Sequence, residues 1–366
     1  MATPLLEFLS CARRGEKMSI TRKFVEKLPK TDLHCHLDGS LRPETLIELA
    51  QRYQVKLPSY EREPMMAALK YGRVRANLEE YLMGFDPLLA VMQTPEDVER
   101  VAYELCEDAS LENVWHLEMR YCPNHHDLKG MTPEQMIEAA IKGGNRATKD
   151  FGISVGHILC GLKHHPAGSL LDVAKLAAQY KGQGVVGFDL AGPEAGFPIR
   201  DHLEAIYFAR KNHLFITLHA GESYGPQSIS QAVHEAHAHR VGHGTSLPND
   251  PELLQWVVNH RVGVEACPIS NWHTGAVKSL DQHPIMKFLA ANVRVSINTD
   301  NRLCSDTTIT EEILALIEHF DISLENIRKL LTNGFKSAFL PYEQRCTMLS
   351  AFNQRFDELA ALNGQG

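Results

Sequence analysis

The 366-residue sequence has no run approaching the ~20 uninterrupted apolar residues that a membrane helix needs, which argues against a helical membrane span. It has no Cys-x-x-Cys pair. Its eight cysteines are scattered along the chain, so a disulfide framework is not expected and reduced, mostly buried thiols are. It has no basic block either: 37 Lys and Arg stand against 45 Asp and Glu, for a formal net charge of −8. That balance argues against a nucleic-acid groove or an anionic membrane surface as partner and favours a small neutral or cationic ligand. The opening "MATPLLEFLSCARRGEK" lacks the order of a secretory signal, because an acid interrupts its short apolar run and its basic residues come afterwards. A cytoplasmic location is therefore expected.

What is present is enough for a large core. Hydrophobic residues make up 44% of the chain, which fits one large α/β domain or two ordinary ones. Residues 1–17 precede a second methionine, Met18, and carry no strong pattern; they read as a frayed N-terminal extension, with a single domain over 18–366. After residue 30, short β-branched runs alternate with helix-like segments. There are eight such runs: "TDLHCHLDG", "VWHLEMRYCP", "SVGHILCGLK", "GVVGFDLAGPE", "LFITLHAGE", "RVGHG", "VGVEACPISN" and "VRVSINTDN". Strand–helix alternation of this count predicts a (β/α)8 TIM barrel. About 75 residues separate the first two runs, so extra helices are expected to be inserted after the first strand. Within them Leu78, Tyr81, Leu82 and Phe85 fall on one helix stripe, suited to packing on the barrel and to lidding a pocket. The tail after Gly334 reads as one closing helix, interrupted or begun at Pro341.

Run after run ends in a polar or small residue: His36, Asp38, Arg120, Asp189, His219, Glu222, His243, Asn271 and Asp300. In a TIM barrel those ends converge on one mouth, where the active site sits. His34 and His36 are two apart on the first strand, so they share a face. The pattern alone is weak in a chain with 19 histidines, and a second His-x-His, His237 and His239, lies in helix-like surroundings that read as solvated surface. His219 follows the apolar "LFIT" and stands three residues before Glu222; Asp300 ends an apolar run, where a buried carboxylate needs a metal or an ion pair. Three imidazoles and a carboxylate suit Zn2+, and the absence of a thiolate cluster fits a catalytic site with an open position for water. His243, flanked by Gly242 and Gly244, stands where a neighbouring chain or ligand can approach.

Taken together, "HCHLDG", "LEMRYCP", "FDLAG", "HAGE", "VGHG" and "INTD", in that order from about residue 30 to "KSAFL", resemble the adenosine deaminase family of metal-dependent barrel hydrolases. The resemblance implies one Zn2+ per chain held by His34, His36, His219 and Asp300. Asp300 would also accept a hydrogen bond from the attacking water, which His243 would orient. Glu222 would protonate purine N1, which requires a carboxyl kept neutral near pH 7 by a dry pocket. The N–H of Gly192 would reach N3, and Asp38, helped by His36, would hold the ribose 5′-hydroxyl. The implied reaction is hydrolytic deamination of adenosine and 2′-deoxyadenosine to inosine and 2′-deoxyinosine plus ammonia.

Two positions depart from the family pattern. Asn301 stands where a second aspartate is common, facing N7; an amide always has a donor for that acceptor, whereas an aspartate must first be protonated. Pro193 replaces a common acid in "DLAGPE". The alternatives are another 6-aminopurine compound such as adenine, aminodeoxyfutalosine or methylthioadenosine; a non-catalytic purine binder, disfavoured because Glu222 and all four ligands are present; and a two-metal phosphoesterase, for which Lys163 is the only candidate bridging ligand.

Overall fold

The computed structural model describes residues 20–69 and 74–363, so the expectation for residues 1–17 lies outside the described residues. Eight parallel strands form one sheet in sequence order: β1 (Lys30–His36), β2 (Val114–Tyr121), β3 (Ser154–Leu162), β4 (Val185–Ala191), β5 (Phe215–Ala220), β6 (Arg240–His243), β7 (Gly263–Ala266) and β8 (Arg294–Ile297). Each coincides with one of the eight runs. A parallel bridge between Cys35 and Asp300, made by Asp300 N–H to His34 O at 2.7 Å and His36 N–H to Asp300 O at 2.6 Å, joins the end of the last strand to the first. The (β/α)8 barrel is thus closed at the residue that also supplies a site carboxylate.

The connection between β1 and β2 holds the helices Pro43–Tyr53, Arg62–Leu69, Leu78–Leu82, Asp86–Val91 and Pro95–Leu111, as the inserted length implies. Helix starts follow local chemistry: Thr94 caps Pro95–Leu111 by accepting the Asp97 N–H, and Thr132 forms a reciprocal capping box with Gln135 at the head of Pro133–Phe151. Among the described residues no helix is long and apolar enough to cross a membrane. Seven cysteines among the described residues are free, six of them buried and Cys346 exposed.

The tail breaks at Pro341 as expected: helix Leu324–Ser337 ends before it and the closing helix Tyr342–Asn363 starts just after it, because the residue before a proline is pushed out of helical backbone. One local expectation is corrected: His237 and His239 are not helical. The preceding turn ends at Glu235, His237 takes a positive φ of 52°, and the exposed His239 uses Nδ1 to accept the Ile216 N–H that starts β5.

Candidate active site

Strand geometry places the donors. His34 and His36 alternate with Leu33 and Cys35 on β1 and face inward to the mouth, His219 comes from the end of β5, and Asp300 follows β8. One ligand atom from each of these four residues lies within 4.8 Å of all the others. His34 Nε2 is 3.1 Å from His219 Nε2, and His36 Nε2 is 3.2 Å from the same atom. Asp300 Oδ1 is 3.3 Å from His34 Nε2 and 3.4 Å from His36 Nε2.

The contact between His34 and His219 is not a hydrogen bond. His34 Nδ1–H is directed at Glu265 Oε2, 2.8 Å away, and His219 Nδ1–H at Asp189, 3.0 Å away. With each ring proton committed to a carboxylate, the facing Nε2 atoms are both lone pairs, which repel unless a cation lies between them. Two ligand atoms each about 2.0 Å from one ion, the length of a Zn–N bond, and at a tetrahedral angle stand about 3.3 Å apart, close to these four separations. The donor set and its spacing therefore fit one zinc ion. Asp300, in left-handed backbone at φ 62°, is fixed on its other oxygen by Ser270 Oγ at 2.5 Å.

Beside the donors sits Glu222, buried, with its pKa raised chiefly by burial and partly opposed by His243. Thr274 Oγ1 donates to its Oε1 at 3.0 Å, and His243 Nε2 lies 3.6 Å from Oε2. A chain of hydrogen bonds fixes the tautomer of His243. The backbone N–H of Ile285 can only donate, and it gives its proton to His283 Nδ1 at 3.2 Å. His283 must then carry its own proton on Nε2, which it donates to Asn271 Oδ1 at 3.1 Å. This sets the Asn271 amide so that Nδ2 donates to His243 Nδ1 at 2.9 Å. His243, also in left-handed backbone (φ 64°), is therefore left with its proton on Nε2, toward Glu222 and the pocket.

The cavity over this site is about 200 Å3. His36, Asp38, Gly192, His219, Glu222, His243, Asp300 and Asn301 line its floor and walls, so every candidate site residue except the fully buried His34 borders it. Leu78, Tyr81, Leu82 and Phe85 cover the opposite side, with Leu78 and Tyr81 buried and the stripe continuing from helix Leu78–Leu82 into the 3-10 turn Met83–Phe85. Asp38 Oδ1 and Asn301 Oδ1 are buried without a hydrogen-bond partner, and burial lifts the Asp38 carboxyl to about 7. Asn301 packs against Gly39, where an added Cβ would stand 2.0 Å from its Oδ1. Gly192 turns the chain at φ 84°.

Several residues of the site are missed by reading strand ends alone. Glu265, in the middle of β7, accepts from His34, Thr217 and Arg120 and pairs with Arg240. Glu194 accepts the N–H groups of Glu222, Ser223 and Tyr224, which pins the loop that carries Glu222. Its neighbour Pro193 leaves that clamp in place. Lys163 is not a bridging ligand: its Nζ donates to His219 O at 2.7 Å and stands 3.9 Å from Glu194, so its charge secures the same loop. A charge inside an apolar strand run, as in "GVEAC" or "HLEMRY", is the sequence signal for such partners.

A closed parallel barrel whose mouth gathers three imidazoles and a carboxylate beside a buried acid defines a hydrolase of the metal-dependent barrel class. Residues 29–355 match the family model for adenosine deaminase. An adenosine deaminase of Clostridium perfringens is 40% identical over 316 residues, covering 86% of this chain and 95% of the relative. Among solved structures, an adenine deaminase from Arthrobacter aurescens superposes with a TM-score of 0.83 at 25% identity, covering 89% of this chain and 98% of that one. The N6-methyl-AMP deaminase of Arabidopsis thaliana gives a TM-score of 0.79 at 28% identity over 91% of this chain and 98% of its own. The chain belongs to the adenosine deaminase family.

Proposed function

We propose that this protein is a cytoplasmic adenosine deaminase, one catalytic domain over residues 18–366, that uses a single Zn2+ to convert adenosine and 2′-deoxyadenosine to inosine and 2′-deoxyinosine with release of ammonia. The observation that carries this reading is the position of the buried Glu222, its pKa raised by burial, in the same cavity as the four-donor cage. His34, His36, His219 and Asp300 would hold the zinc ion, which would supply an acidified water at neutral pH.

The chain's own residues do the rest. Glu222, oriented by Thr274, donates its proton to purine N1 as the C6–O bond forms, so the electrons of the broken ring double bond have somewhere to go. His243, held with its proton on Nε2, donates to the oxygen of the attacking water, and Asp300, held by Ser270, accepts one of the water's protons and passes it to the departing amine, while the other restores Glu222 as the C6 hydroxyl becomes the carbonyl. The C6–N bond then breaks and ammonia leaves. The Gly192 N–H reaches N3, the Asn301 amide donates to N7, and Asp38 with His36 receives the 5′-hydroxyl.

The Arabidopsis relative acts on a nucleotide, and the choice between nucleotide and nucleoside turns on Asp38. Its unpartnered Oδ1 suits a hydroxyl donor, and no Lys or Arg lines the cavity among the described residues. A phosphate there would meet an acid without a compensating cation. The test is a panel of adenosine, deoxyadenosine, adenine, AMP, methylthioadenosine and aminodeoxyfutalosine with the zinc-loaded protein, followed by loss of the 6-amino ultraviolet chromophore. Adenosine and deoxyadenosine should give the highest kcat/KM; a preference for AMP or adenine would overturn the assignment of Asp38.

A further inference from the structure

At the end of the barrel opposite the mouth lies a second cavity of about 320 Å3. Phe215, Arg240, Gly263 and Arg294, the first residues of β5, β6, β7 and β8, border it, so the strand starts converge there as their ends converge on the active site. Arg261, Lys336 and Arg345 complete a ring of five cations with Arg240 and Arg294, and no Asp or Glu lines the cavity among the described residues.

Only one of the five is neutralised. Arg240 is buried between Glu118 and Glu265, with its guanidinium over the Phe339 ring. Arg261, Arg294, Lys336 and Arg345 form no ion pair among the described residues; Arg345 reaches only the Ala338 carbonyl, at 3.4 Å. Arg294 is half-buried, and burial together with the charges of Arg261 and Arg345 pushes its pKa down. Gathering like charges in a partly desolvated recess costs free energy that a bound anion would offset. Free surface cations spread apart, whereas these are drawn together by three successive strand starts and two helices.

We propose that this cavity binds a multiply charged phosphate-type anion, held by the guanidinium groups of Arg261, Arg294 and Arg345 and the ammonium of Lys336. Planar guanidinium forks match phosphate oxygens pairwise, and three arginines around one recess supply that geometry. The anion is either free inorganic phosphate or pyrophosphate, or the phosphate arm of a nucleotide, since the cations recognise the same group in both.

The test is calorimetric titration of the full-length, zinc-loaded protein, at constant ionic strength, with inorganic phosphate, pyrophosphate and CDP, whose base offers no 6-aminopurine to the mouth. Saturable binding of at least one probe is expected, weakened tenfold or more in both Arg294→Gln and Arg345→Gln, with adenosine turnover in the absence of anion unchanged. CDP binding more tightly than pyrophosphate would assign a nucleotide, and the reverse order a free phosphate. Absence of saturable binding at millimolar concentration would overturn the proposal. So would binding that survives both substitutions, which would place the anion at the metal centre instead.

Discussion

Two neighbouring layers of the barrel treat their polar groups in opposite ways. Below the donor cage, Arg120 joins Asp189 and Glu265 at 2.8 and 2.9 Å, Glu265 holds His34, and Asp189 holds His219, all within the buried interior. Burial alone would raise the pKa of Glu265, yet Arg120 and Arg240 hold it well below the usual range. In the cavity above, Asp38 and Asn301 carry buried oxygens with no partner, and burial lifts the carboxyls of Asp38 and Glu222. In the lower layer the protein itself meets every carboxylate, with only Arg120 Nε left unmet among these residues, and this layer sets geometry. The upper layer is left unsaturated, and leaving a buried polar atom unmet costs ~1–3 kcal/mol, a cost that a correctly shaped ligand removes on binding.

The contrast can be broken most severely at the acid. Glu222→Gln keeps the shape of the pocket and the four donors but removes the proton for N1, so kcat should fall by roughly 10²–10⁴ while bound zinc, measured by elemental analysis, stays at the wild-type level. A smaller loss is expected from Asn271→Asp, which replaces the donor facing His243 Nδ1 with an acceptor and so reverses the tautomer fixed by His283. About 100-fold in kcat with little change in KM is the expected split in steady-state kinetics; a change confined to KM would contradict the tautomer assignment.

Asp38→Ala sharpens the difference between the layers. With the hydroxyl acceptor gone, kcat/KM for adenosine should drop by about tenfold, roughly 1.4 kcal/mol, and kcat/KM for 5′-deoxyadenosine should barely change. An equal loss for both substrates would remove Asp38 from the sugar site. The smallest effect concerns stability. Burial depresses His157 and His283 to about 3 and His126 to about 4, against 6.5 for an unhindered imidazole. Between those values and pH 6.5 the unfolded chain binds protons that the folded chain does not, so stability is full above pH 6.5 and declines as pH falls toward 4. Urea titrations at pH 7.5 and 5 should show this decline, and His157→Gln should shrink the difference.

The fold and the donor set were legible in the sequence for one reason: both follow from what each strand places at its end. The eight runs coincide with the eight strands, and His34, His36, His219 and Asp300 meet as their positions imply. The supporting partners were less legible because they depend on which strands become neighbours across the barrel. Glu265 meets His34 from 231 residues away, and Arg120 reaches the same carboxylate only once the sheet has closed. His283 reaches His243 through Asn271 from a loop with no strand pattern of its own. Lys163 shows the same limit in local form, since the acceptor of its ammonium group is not written in periodicity.

Whether the four converging donors hold one catalytic cation is decided by metal analysis coupled to activity. About one zinc per active chain is expected, with adenosine turnover lost in step with zinc removal by a chelator and recovered on readdition. Full turnover in a preparation holding under about a tenth of an equivalent of any transition metal would contradict it.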